Sequence, residues 1–169
     1  MPSKPAEPED VYAPPHADPD PDLIIADDRP VRELMHEGVL TCGLDTTVEQ
    51  MASMLLDNKI HAVVVVDDTQ AAVGVVSQTD LVLARQGREP SVFRAMKARE
   101  IMSPELIACT PDTSITEAVT TMTRRRIHRL VVVEQAQGKR RPVGVVSMTD
   151  IVRSMMGGQP DRTPYQDPA

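Results

Sequence analysis

Aromatic side chains are nearly absent from this sequence: Phe93, Tyr12 and Tyr165 are the whole set, and there is no Trp. Sequence-tolerant binding of single-stranded nucleic acid relies on aromatic stacking platforms, which so few rings cannot supply. Cysteine is equally scarce. Cys42 and Cys109 are the only two, too few for a disulfide framework or a Cys/His metal cluster. Apolar runs are short, and none approaches the length that crosses a bilayer; nor is there a cleavable signal pattern. The expected location is the cytoplasm, with no membrane partner.

A uniform charge is lacking too, although the formal net charge is −7. Residues 1–28 hold eight acids (Glu7, Glu9, Asp10, Asp18, Asp20, Asp22, Asp27 and Asp28) against Lys4 alone, so the remainder is neutral. The same stretch has seven prolines, a composition that cannot bury enough apolar surface to offset its ordering entropy. It is expected to be a disordered tail, as is 158–169. A neutral body also argues against nucleic acid as the partner of Arg124-Arg125-Arg126 or Lys139-Arg140-Arg141. The former reads as a helix end, where cations favour the dipole.

What is present is a repeat. Gly74-Val75-Val76-Ser77-Gln78-Thr79-Asp80 returns seventy residues later as Gly144-Val145-Val146-Ser147-Met148-Thr149-Asp150. Earlier segments align at an offset of 67, pairing Met35 with Met102, Asp45 with Asp112, and His61 with His128. The three extra residues fall in a longer loop at Gln137 to Arg141. Cys42 and Cys109 are also equivalent, which reads as two small buried hydrophobes.

Each copy predicts the same order of elements. Val31–Met35 and Ala98–Met102 form opening turns, followed by short strands at 39–42 and 107–109. Asp45 or Thr46 is placed to cap a helix with Val48, Met51, Ala52, Leu55 and Leu56 on one face; Thr113 precedes its counterpart, with Ile115, Ala118, Val119 and Met122. Asn58 and Lys59 mark the first helix's end. The runs Ala62–Val66 and Leu130–Val133 suit strands buried on both faces. Val73–Val76 and Val143–Val146 are the next strands, and Asp80 to Arg88 and Asp150 to Met156 the last helices. The Ser-x-x-Asp spacing in each copy is a capping-box pattern, a purely structural role for Ser77, Asp80, Ser147 and Asp150. Each half is thus a β-α-β-β-α unit too small to stand alone. The predicted fold class is α/β (α+β): two units, 29–88 and 98–157, joined by a linker at 89–97 and packed sheet to sheet about a pseudo-twofold axis. Such packing leaves two related clefts near strand ends and helix N-termini.

These features together resemble the CBS domain, named after cystathionine β-synthase, in its tandem form, the Bateman module. The resemblance covers residues 30–156 and rests on four features: Arg32-Glu33-Leu34-Met35 with Arg99-Glu100-Ile101-Met102, Pro-Asp-Thr-Ser-Ile-Thr-Glu-Ala at 111–118, His-Arg-Leu-Val-Val-Val at 128–133, and the two Gly-Val-Val-Ser-x-Thr-Asp segments. It implies a regulatory module, not an enzyme, binding adenosine-containing ligands: AMP, ADP, ATP (with Mg2+ as its counterion), S-adenosylmethionine, NAD or a cyclic dinucleotide. It implies that Asp80 and Asp150 hold ribose hydroxyls. Ser77 and Ser147 would contact phosphate or ribose beside Thr79 and Thr149, and Leu40-Thr41 and Ile107-Ala108 would meet adenine. His128 and Arg129 fall where basic residues contact phosphate. The first copy departs from this, having His61-Ala62 in place of His128-Arg129 and Gly43 in place of Thr110, so the clefts are expected to be unequal, with stronger phosphate binding toward Arg129. The resemblance further implies a homodimer acting on an effector protein. The alternative reading is a ligand-free structural module that works through its dimer surface. No catalytic constellation, metal-ligand spacing or phosphate-binding loop stands out.

Overall fold

In the computed structural model, residues 25–160 are described. The expectations for residues 1–24 and 161–169 lie outside them. A 3-10 turn at Val31–Glu33 leads into β1 (His36–Glu37), β2 (Thr41–Gly43), α1 (Val48–Asp57), β3 (Ala62–Val66), β4 (Ala72–Ser77) and α2 (Gln78–Arg85). A short helix, α3 (Pro90–Ala95), follows, then α4 (Ala98–Ile101), β5 (Ala108–Cys109), α5 (Ile115–Arg125), β6 (Arg129–Ala136), β7 (Lys139–Ser147) and α6 (Met148–Met155).

The mixed α/β architecture and the duplication are as the sequence predicts. β2 runs parallel to β3, which is antiparallel to β4; β5, β6 and β7 repeat this arrangement. The backbone copies itself down to its irregularities. A register shift at Val65/Val66 recurs at Val132/Val133, and the left-handed residue Lys59 recurs as Arg126. Three apolar clusters divide the interior. One lies under α1 around Met51, Leu55, Val63 and Val65, and a second under α5 around Ile115, Met122, Leu130 and Val132. The third joins the sheets through Val64, Val66, Ala72, Leu106 and Val133. Burying each such side chain contributes about 1.5–3 kcal/mol. Both cysteines are buried, and desolvation raises the Cys109 thiol to about 11.

The opening turns are exchanged between the halves. Val31 and Leu34 belong to the second repeat's core, while Ala98 belongs to the first. Matching backbone bonds fix the exchange. Val31 N–H donates to Thr113 and Ala98 N–H to Thr46; Arg32 N–H donates to Pro111 and Arg99 N–H to Leu44. Equivalent ion pairs join Arg32 to Asp112 and Arg99 to Asp45. β1 consequently pairs with β7, giving strand order β1-β7-β6-β5 against β2-β3-β4. In the other half the corresponding contact is a single bridge from Val75 to Ser103. At these crossings a Cβ on Gly144 would lie 2.4 Å from the His36 carbonyl oxygen, and one on Gly74 2.7 Å from that of Ser103. Only glycine admits the approach.

Several local expectations are corrected. Thr47, not Asp45 or Thr46, caps α1: Thr46 also has an acid three residues on, Glu49, but its hydroxyl is turned back to Gly43, and Thr47 forms the box with Gln50. Thr47 Oγ1 accepts from Gln50 N–H, and Gln50 Oε1 accepts from Thr47 N–H. Asp45 instead bonds Lys97 and Arg99, while Thr46 Oγ1 accepts from Gly43 N–H. Thr113 precedes α5 as expected, with Ser114 between them as the cap. The last helices start at Gln78 and Met148, two residues before each Asp. The loop expected at 137–141 is a hairpin extension: Gln137-Gly138 turns the chain, and Lys139 to Arg141 continue β7 opposite Ala136 to Glu134. The linker at 89–97 contains α3, with Pro90 at its first turn. Within the expected tail, Asp27 is docked, its N–H donating to Thr116 Oγ1 at 2.8 Å.

Candidate ligand cleft

The parallel pairs β2-β3 and β5-β6 bring their strand starts face to face across the pseudo-twofold axis. Between them is a cavity of about 490 Å3. Its walls come from both copies and include equivalent residues of the two: Val39 and Leu106, Leu40 and Ile107, Ile60 and Ile127, and Val64 and Val131. The wall is mostly apolar, with Asn58, His61, Glu105 and Arg129 as its polar members. An apolar slot of this size with a few polar groups suits a small organic molecule.

Of the residues selected from the sequence, Leu40, Ile107, His61 and Arg129 line this cavity. Thr41 and Ala108 follow in β2 and β5, paired with Val64 and Val131 and outside the lining. The Ser-Asp motifs stand beside it: Ser77 pairs with Ala62 of the lining, and Ser147 with Arg129. His128, Thr79, Thr149 and Thr110 are exposed and outside the lining. Thr110 is engaged with Thr113, its N–H donating to Thr113 Oγ1 at 3.0 Å.

Both Ser-Asp motifs form complete capping boxes. Ser77 N–H and Oγ–H donate to Asp80 Oδ2 at 2.7 and 2.6 Å, and Ser147 makes the same bonds to Asp150 Oδ2 at 2.8 and 2.6 Å. Each box stabilises its helix by about 1 kcal/mol. The second box carries more: His36 Nε2 lies 2.9 Å from Asp150 Oδ1, and Arg153 Nη1 lies 3.6 Å from it. His36 and Asp150 are both buried, whereas Asp80 is half-buried.

His36 was not among the residues the sequence singled out. Its signal was available at the offset of 67, where His36 stands opposite Ser103 inside two otherwise similar opening turns. Leu106, Ile60 and Ile127 were also missed, because their cavity role depends on how the two sheets meet. Among the described residues, no cluster of three or more His, Cys, Asp or Glu could hold a metal ion. No described helix is long and apolar enough to cross a membrane.

Two β-α-β-β-α units about a pseudo-twofold axis, with a cavity between them, define a paired-repeat module. The CBS domain family matches residues 31–87 and 98–157, and the chain belongs to that family. An uncharacterized protein of Methanopyrus kandleri is 31% identical over 125 residues, covering 73% of this chain and 61% of that protein. The gamma-3 subunit of human 5'-AMP-activated protein kinase is 30% identical over 108 residues, covering 61% of this chain and 22% of the subunit. The chain therefore spans less than two thirds of either relative. Among solved structures, CBSX2 in complex with AMP aligns with a TM-score of 0.64 at 23% identity, covering 76% of this chain and 96% of that one. The CBS domain pair of MJ0100 in complex with 5'-methylthioadenosine and S-adenosyl-L-methionine aligns at 0.63 and 22%, covering 76% and 97%.

Proposed function

We propose that this chain is a regulatory module that binds an adenosine-containing ligand in the cavity between its two repeats. The observation that carries the reading is the cavity itself: an apolar slot built by both copies, with Arg129 in its wall and a Ser-Asp capping box beside each end. The adenine fits between Leu40 and Ile107, the ribose meets a carboxylate, and Arg129 with His61 faces the anionic phosphate. The AMP and S-adenosylmethionine complexes of fold relatives support this chemistry. A ligand gripping both repeats favours the sheet arrangement it fits best, and that difference in affinity is the signal passed to a partner. The roles in this reading are binding and relay, with no bond made or broken.

Isothermal titration calorimetry with AMP, ADP, ATP, S-adenosylmethionine, NAD and cyclic di-AMP tests it. The expected result is a dissociation constant near the micromolar range, about −8 kcal/mol, for one of them. In Arg129→Ala, binding of phosphate-bearing ligands should weaken at least tenfold. Absence of heat with every ligand, from nucleotide-free folded protein, sinks the reading.

A second reading, action through a protein interface, is favoured by a separate observation. α1, α2 and α3 pack together and leave Leu56, Val82, Leu83 and Val92 exposed, and Val152 and Met155 of α6 are exposed with Met156 just after it. Apolar helix faces of this kind fit a homodimer. Sedimentation velocity of the wild type and Leu83→Glu distinguishes them: a dimer that dissociates in the variant supports this surface, and an unchanged species rejects it.

A further inference from the structure

We infer that His36 occupies the Asp150 carboxylate beside the cavity, so that the chain takes a single nucleoside, at Asp80. This rests on the adenosine reading above and deepens it.

A carboxylate offers two oxygens with two lone pairs each. At Asp150, Oδ2 receives Ser147 N–H and Oγ–H, while Oδ1 has His36 Nε2 at 2.9 Å and Arg153 Nη1 at 3.6 Å. Each oxygen thus holds a protein hydrogen bond; the Arg153 contact is an ion pair beyond hydrogen-bond distance, and with Asp150 only 5% exposed the position left on Oδ1 is buried away from a visitor. At Asp80, Oδ2 receives the same two serine donors, but Oδ1 has no hydrogen-bond partner among the described residues. A ribose diol brings two donors and needs an oxygen with open lone pairs. Asp80 has one.

The difference arises from one position on a shared backbone. β1 pairs His36 with Val145, and the matching bridge pairs Ser103 with Val75. Gly144 and Gly74 hold both crossings at backbone contact. The imidazole of His36 spans the gap to the carboxylate of the half it packs on. The hydroxymethyl of Ser103 forms no such bond to Asp80 among the described residues. The expected inequality of the clefts is therefore turned around at the sugar: the half beside Arg129 has its acceptor shut.

The test is the number of AMP molecules bound per full-length chain, by calorimetry and equilibrium dialysis, for the wild type, His36→Ser, Asp80→Asn and Asp150→Asn. His36→Ser makes the two crossings alike. A single site in the wild type, lost in Asp80→Asn, retained in Asp150→Asn, and joined by a second in His36→Ser is the expected result. Two sites in the wild type, a single unchanged site in His36→Ser, or loss in Asp150→Asn with Asp80→Asn unaffected would overturn the closure while leaving the adenosine reading intact. No AMP bound by either the wild type or His36→Ser removes both. Circular dichroism melts identify any variant that fails to fold, and the His36→Ser count decides the matter if Asp150→Asn is one.

Discussion

The half of the cavity beside Asp80 and the half beside Asp150 follow the same backbone path. Both have a short parallel strand, a strand bulge, a glycine under a crossing turn and a serine-capped helix. Their side chains differ. One carboxylate has an oxygen with no hydrogen-bond partner among the described residues; the other has His36 bonded to that oxygen and Arg153 beside it. Backbone hydrogen bonds tie whole elements together and tolerate little change, whereas a side chain beside a cleft can change alone. Duplication here has preserved the frame and let single side chains beside the cavity differ.

The comparison can be pressed by mutation. The largest effect is expected at the paired core positions Leu55 and Met122, each at most 1% exposed. Leu55→Ala and Met122→Ala should each lose about 2–5 kcal/mol in urea unfolding. Both should still unfold in one transition, because each core borrows a turn from the other half. Separate transitions would break the claimed interdependence.

Gly144→Ala and Gly74→Ala should each destabilise by about 1–3 kcal/mol. Gly144 should suffer more, since its Cβ would meet backbone at 2.4 Å rather than 2.7 Å. Next comes His36→Ala, which leaves a buried acceptor short of its partner and should lower stability by about 1–3 kcal/mol. Ser103→Ala should change little, and a melt of equal size for the two would remove the asymmetry.

The smallest effect concerns the thiols. Burial raises the Cys109 pKa from 9.0 to about 11, and burial also raises that of Cys42. A pKa raised on folding gives stability that is complete below the unfolded value and lost as pH climbs through the folded one. Stability should thus decline from pH 9 toward 11, and less steeply in Cys109→Ala. At pH 8 the native protein should resist iodoacetamide at Cys109 until it is unfolded.

The sequence made the duplication, the strand order within each half and the Ser-Asp caps readable, because each is written in residues a few positions apart. The cap of α1 was off by one or two residues because several hydroxyls and an acid cluster there, and only partner geometry selects Thr47. The turn exchange and the His36 contact were not legible, since each depends on where a short segment docks after the chain has crossed over. Leu40, Ile107, His61 and Arg129 were named through the family resemblance, and all four line one cavity. Their convergence on one cavity is a property of the packed pair.

The exchanged turns have a consequence for the chain as a mechanical object. Each half holds a piece of the other, like two people gripping one another's wrists. A proteolytic cut near Gln86 to Glu89 would leave two fragments still clasped, with Ala98 seated in the first and Val31 in the second. Neither repeat can be lifted out and grafted elsewhere by cutting at its sequence boundary. The smallest portable piece is the interlocked pair.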